Sequence, residues 1–262
     1  MDEGWMLRAA LGSYAAAWLA PARWPRLVML AAALALGLHT ASLLLRWAAH
    51  GHGPFTTMHE ILSSSLWSLA LVLALAAAAL SEARAAWRLA APLLALLALW
   101  ALVAPPGRGH FPPTYATALL YVHAVLGKLF LGLLLVAVAL GSVPLARRTP
   151  IGARRFAAAP GDARFDELAH RFAAFAFVAD TLMLIAGAVW AQDAWGRYWA
   201  WDPLETWAFA TWLALAGALH ARATLRPAPV VHGLWLAAIF ALAFLTFFGV
   251  PFLSTSPHKG AI

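Results

Sequence analysis

Cysteine is absent from the 262 residues. That excludes structural disulfides, thiolate ligation of a metal and any thiol relay carried by this chain. Charge is nearly as scarce, with 11% of residues Asp, Glu, Lys or Arg, against about 25% in a soluble globular domain. A water-soluble protein so poor in charge would expose large apolar patches and aggregate. No glycine-rich phosphate loop and no long polar linker interrupt the chain, which reads as a single membrane-embedded domain over 1–262.

What is present is apolar: 63% of residues are hydrophobic and the mean hydropathy is +0.77. Seven runs approach the roughly 20 residues that cross a bilayer: 27–45, 61–80, 87–103, 115–138, 168–190, 206–223 and 230–250. They are too long and too uniformly apolar for alternating barrel strands, and Ala and Leu dominate them, which favours helix. The expected fold is all-α, a polytopic transmembrane bundle of seven clear spans. Residues 7–19 form a marginal eighth segment, either a tilted first span or a helix in the interface. Asp2, Glu3 and Arg8 stand where a signal peptide has other residues.

The formal charge of +7 gains meaning from its position. Nucleic-acid binding needs a basic stripe on a solvated face, whereas these arginines sit in short links. Arg84 and Arg88, then Arg147, Arg148, Arg154, Arg155 and Arg164, then Arg222 and Arg226 occupy alternate links. The other links hold only Arg46, Arg108 and Arg197. The arginine-rich side is therefore expected to be cytoplasmic, with 141–166 as its main loop. Residues 46–60, 104–114, 191–205 and the C-terminal tail then face outward.

One stretch stands out. Residues 190–212 hold six of the 14 tryptophans, and Trp195, Trp199, Trp201 and Trp207 crowd one outward link around Gly196, Arg197 and Tyr198. Two readings stand. Aromatic residues collect at membrane interfaces as an anchoring belt. Alternatively, the rings form a platform for a large flat apolar ligand, with Arg197 pairing a ligand carboxylate. The link ends in a helix start: Asp202 suits the N-cap, Pro203 the first helical position and Glu205 a capping box. That role accounts for both acids without any chemistry.

The run WGRYWAWDPLETW resembles the tryptophan-rich WWD motif of the cytochrome c assembly proteins. The resemblance is to the CcsA/ResC-type branch of the System II haem-handling superfamily, whose relatives include CcmC and CcmF. GHGPFTTMHE at 51–60, FDELAHR at 165–171 and FFGVPFLSTSPH at 247–258 extend the likeness over most of the chain. It departs at Leu204, where this branch commonly has lysine, and in the context of the tail at 256–260.

The resemblance implies a subunit of cytochrome c synthase that transports haem b and presents it for covalent attachment to apocytochrome c. Two outward histidines beside the WWD motif would be the axial ligands of the haem iron, matching His123 and His258. Trp195, Trp199, Trp201, Arg197 and Asp202 would frame that site. From the residues alone, His123 equally suits a helix-terminal imidazole bonded to backbone, and His258 a disordered tail. His220 matches a histidine of an inner haem site, although a histidine at a helix C-terminus also interacts well with the dipole. The implied partners are a CcsB/ResB-like membrane protein, apocytochrome c bearing CxxCH and, indirectly, thiol-reducing proteins. The implied location is the plasma membrane of a bacterium or an equivalent energy-transducing membrane.

The alternatives are a CcmC-like haem chaperone or exporter subunit and a small-solute transporter. The second would show inverted halves with broken helices, and no such symmetry is visible. No residue resembles a nucleophile or general base, so any part in a haem lyase lies between carrier and enzyme. His39, Lys128 and Asp180 fall inside spans, where an ionisable residue is a functional-site hypothesis by default; a neutral ring bonded across helices suits His39 equally, snorkelling or pairing suits Lys128, and an interhelical partner suits Asp180. His50, His52, His59 and His110 would line an entry or docking surface; His170 and His232 look structural.

Overall fold

Apolar runs rich in Ala and Leu become helices wherever the computed structural model describes the chain, residues 3–20 and 24–253. In order these are α1 (Glu3–Leu19), α2 (Pro25–His50), α3 (Met58–Ala79), α4 (Ser81–Ala86), α5 (Ala91–Val103) and α6 (Ala118–Gly141). They continue as α7 (Val143–Ala146), α8 (Pro150–Arg155), α9 (Asp162–Trp195), α10 (Pro203–Leu225), α11 (Pro229–Phe248) and α12 (Val250–Leu253). His258 lies outside the described residues.

Local chemistry sets the boundaries. Pro25 opens α2, and Gly51 closes it at φ 76°, in the left-handed region that glycine enters without penalty. The Thr57 hydroxyl accepts the Glu60 N–H while the Glu60 carboxylate accepts N–H donors at the start of α3, a complete capping box.

Not all of the seven expected runs stand out as spans. Five helices among the described residues are long and apolar enough to cross a bilayer: α2, α3, α6 with its short extension to Ala146, α9, and α11 continuing to Phe252. Ser81–Leu89 and Ala91–Val103 make a sixth only if that pair, bent by 53°, is one span. Helix α10 has the length, at 23 residues, but Thr206, Trp207, Thr211, Trp212, His220 and Arg222 dilute its apolar run. Helix α1 is 17 residues long and packs on α2, where the Ser42 hydroxyl donates to the Glu3 carbonyl at 2.9 Å. The chain is a multi-pass membrane protein.

Helices α6 and α9 run antiparallel through the centre, in register from His123 beside Gly187 to Gly141 beside Ala169. Helix α11 joins them where Gly233 meets Gly141 backbone to backbone. A methyl on Gly233 would lie 2.0 Å from the Gly141 carbonyl oxygen. Gly233→Ala is thus expected to push α11 off α6 and destabilise the protein by at least about 1–3 kcal/mol, as overpacking does. Thermal unfolding followed by tryptophan fluorescence measures it.

Charged clusters tie both ends of the bundle. At one end the guanidinium of the buried Arg46 donates to Glu60 at 2.8 Å, Glu3 at 2.7 Å and the Gly107 carbonyl at 2.7 Å. At the arginine-rich end, Asp166 takes Arg222 at 2.5 Å and the His232 Nδ1–H at 2.7 Å. Arg147 holds Asp162 at 2.5 Å and the carbonyls of Phe156, Ala159 and Pro160. Arg164 pairs with Glu82 at 2.8 Å.

Most of the other ionisable residues singled out in the sequence have structural partners. His39 bonds the Ser63 hydroxyl across helices at 2.9 Å. His59 reaches the Ala101 carbonyl at 3.0 Å, and His52 lies flat on Phe111 with centroids 4.9 Å apart. Asp180 is an exception, with no hydrogen-bond partner for either carboxylate oxygen among the described residues, and His170 Nδ1 is buried there without one as well.

Candidate functional site

A cavity of about 220 Å³ opens where α3, α6, α9, α10 and α11 meet, at the tryptophan-loop end of the bundle. Small residues on facing helices make the space: Ala124 on α6, Gly187 and Ala188 on α9, and Ala208 on α10. Tyr115, Trp190, Tyr198, Trp199 and Phe247 supply much of its wall. Such a lining, mostly apolar with a few polar groups, is the usual composition of a small-molecule site.

His123 projects into this wall from the second turn of α6. Its Nδ1 lies 2.9 Å from the Met183 carbonyl oxygen on α9. A carbonyl only accepts, so Nδ1 carries the proton and Nε2 keeps the lone pair of the neutral ring. Hydrogen bonding at one ring nitrogen is how proteins orient a histidine whose other nitrogen ligates a metal. Gly187 makes the position possible, because a methyl there would lie 2.7 Å from Nδ1. Trp190 stacks beside the ring at 6.0 Å and donates its indole N–H to the Thr114 carbonyl at 3.1 Å.

The tryptophan loop closes the cavity. Helix α9 continues to Trp195 and stops at Gly196, φ 74°, whose N–H returns to the Gln192 carbonyl. The irregular backbone is therefore confined to 196–202, shorter than the sequence leads one to expect. At the far side Asp202 accepts the Glu205 N–H at 2.9 Å, and Glu205 Oε2 accepts the N–H of Ala200 at 2.7 Å and of Asp202 at 3.4 Å. Trp201 sits at φ 58°, a conformation that costs an L-residue about 1–2 kcal/mol. The capping box holds it there.

Glu205→Ala is accordingly expected to free the Ala200 N–H, raising its amide exchange about tenfold, the equivalent of one hydrogen bond of ~1.4 kcal/mol. Glu205→Gln keeps an acceptor in place and should restore most of the protection. Unchanged exchange at Ala200 in the alanine variant would rule out this role.

The residues singled out in the sequence separate into groups. His123 and Trp199 line the cavity. Trp195 packs edge-on against Trp190 at 4.9 Å, directly behind the wall. Trp201 is 67% exposed and meets Trp199 edge-on at 5.6 Å. Arg197 is exposed on the loop and forms no part of the cavity wall, while Asp202 serves as the N-cap. His220 is exposed toward the opposite end of α10.

Sequence reasoning passed over Trp190, Tyr115 and the Ala186–Gly187–Ala188 run. The signal for the last was a cluster of small residues one turn before a tryptophan. The lining positions 120, 124 and 128 on α6, and 184 and 188 on α9, also follow helical spacing.

The donor set suits a flat aromatic metal complex. The His123 imidazole is part of the wall of an aromatic cavity, and the buried indole N–H of Trp199 lacks a partner among the described residues. Buried donors of this kind are rarely left unsatisfied.

Comparison with known proteins gives a consistent picture. A family model described as "Cytochrome C assembly protein" matches residues 26–258. The cytochrome c biogenesis protein CcsA of Guillardia theta is 46% identical over 100 residues, 36% of this chain and 31% of the relative. Its counterpart in Gloeobacter violaceus is 44% identical over 100 residues, covering 36% and 28%. The Synechocystis protein is 40% identical over 94 residues, with the same 36% and 28% coverage. These alignments span less than a third of the relatives' own length. Among solved structures, the cytochrome c haem lyase CcmF superposes with a TM-score of 0.61 at 21% identity, covering 98% of this chain and 46% of that one. That likeness is one of fold.

Proposed function

Since the chain belongs to the cytochrome c assembly protein family, we propose that it acts in cytochrome c maturation by holding haem in the cavity behind the tryptophan loop. The observation that carries this reading is the His123 ring, turned by the Met183 carbonyl so that Nε2 is its basic nitrogen. His258 supplies the second axial ligand. Trp195, Trp199 and Trp201 frame the porphyrin, Asp202 holds the loop, and Arg197 stands outside it where a partner or a ligand carboxylate arrives.

The substrate is haem b, whose vinyl groups accept the two thiols of an apocytochrome CxxCH motif. Each S–H adds across one C=C, sulfur to one carbon and hydrogen to the other, so the step consumes no oxidant or reductant. The chain orients the ring, ligates the iron and keeps water away. It contributes no nucleophile. Haem reaches this site from the arginine-rich side, the cytoplasmic one with the loop 141–166, where His220 helps bind it. A CcsB/ResB-like membrane protein completes the synthase. The loop faces outward from a bacterial plasma membrane or an equivalent energy-transducing membrane, and all 262 residues form one membrane-embedded assembly domain.

The experiment is purification of the full chain from haem-replete cells. A visible spectrum of six-coordinate, bis-histidine haem at near-stoichiometric content is expected. Protein recovered folded and without haem, and unable to take it up on titration, would overturn the proposal.

A further inference from the structure

Lys128 sits five residues beyond His123 on α6, about 7.5 Å further along the helix axis at 1.5 Å per residue. It therefore lies deeper in the bundle than the imidazole and the tryptophan loop. Its Nζ donates to the Ser64 hydroxyl at 2.8 Å and the Ser65 hydroxyl at 3.0 Å, both on α3. Lys128 and Ser65 both line the cavity. An ammonium has three protons to donate, and the serines take two. The Ser65 hydroxyl accepts from Lys128 and has no acceptor for its own proton among the described residues.

Two serine dipoles solvate a cation without neutralising it. No carboxylate lies within ion-pair distance of Lys128 among the described residues. Glu205, the acid on the same cavity wall, is committed to the Ala200 and Asp202 N–H groups. Ionisable side chains inside a membrane protein face cavities and pair there with counter-charge, because burying a lone charge is costly. The remaining donors, one from Lys128 and one from Ser65, point to an acceptor supplied by whatever occupies the cavity. The aromatic wall around them selects a molecule that is mostly flat and apolar but acidic at one edge.

We propose that Lys128, held by Ser64 and Ser65, is an anion seat at the deep end of the cavity that takes a carboxylate of the porphyrin. The proposal rests on the reading of the cavity as a haem site. It adds the direction in which the ring is inserted: carboxylate edge inward, with the vinyl-bearing side toward the loop and the arriving thiols. Arg197, exposed on the loop, is then not the group that fixes the ring's orientation.

The test compares haemin with its dimethyl ester, which keeps the ring and iron and removes both charges. Each is titrated into the full chain in detergent and followed by visible absorbance and tryptophan quenching. The wild type is expected to bind the free acid about tenfold more tightly, the worth of one charge-assisted pair of ~1.4 kcal/mol. Lys128→Met should bring the two affinities within about twofold while leaving that for the ester unchanged. Ser65→Ala should lose part of the preference.

A wild type that binds neither compound removes the haem reading, and the seat with it. A wild type that binds both equally, or Lys128→Met that keeps the full preference, overturns the seat alone. If Lys128→Met binds neither, the decision passes to Ser65→Ala, for which an unchanged preference overturns the seat.

Discussion

Replacing His123 by alanine should strip the purified chain of most of its haem, lowering affinity at least about tenfold and giving a spectrum that added imidazole restores. Metal sites typically lose about 10–100-fold in affinity even when only an outer hydrogen bond to a ligand is removed, so deletion of a ligand itself should reach that range. The structure supplies a sharper companion. Gly187→Ala leaves the imidazole in the sequence, but its new methyl would stand 2.7 Å from Nδ1 and displace the ring from the Met183 carbonyl. A comparable loss of haem in Gly187→Ala, with thermal stability close to wild type, would show that orientation matters as well as presence. Haem content unchanged in both variants would remove His123 from the site.

The largest effect on stability is expected at Arg46. Its side chain is 5% exposed and that of Glu60 is fully buried, so Arg46→Met strands a carboxylate in the interior. Breaking a buried pair from one side costs about 3–5 kcal/mol, whereas removing both charges is frequently near neutral. Arg46→Met is therefore expected to unfold far more readily in a denaturant titration. Arg46→Met combined with Glu60→Gln should recover much of that loss, because glutamine still completes the capping box with Thr57. A double variant no more stable than Arg46→Met alone would mean that the pair's geometry, rather than the stranded charge, is what matters.

The parts of this protein that were legible in its sequence are those written in neighbouring residues. The apolar runs found the long helices, and the Asp202–Pro203–Glu205 signature found the start of α10 together with its capping box. Segment 206–223 reads as a span because it is long and flanked by arginine. Its threonines, tryptophans and histidine leave it helical but less apolar than the other long helices.

What depends on distant residues was not legible. His123 is bonded to backbone, as a bland reading of the sequence allows, but the carbonyl belongs to Met183, 60 residues away. That distance is what turns a helix-end histidine into an oriented one. The cavity itself arises from the meeting of small residues on three helices, and no single segment announces it. The hydroxyls that hold Lys128 are 64 and 63 residues from it.

Helix α10 is fastened along its whole length. Its first turn grips the tryptophan loop through Asp202 and Glu205, its middle is tied to α9 by the Trp212 indole on Thr181 at 2.8 Å, and its last turn is anchored by Arg222 on Asp166. It therefore behaves as a strut, and the tryptophan side of the doorway is its fixed jamb. The opposite post is made by Phe247 and Pro251, and Thr246 beside Thr211 at 3.4 Å ties it to the same strut.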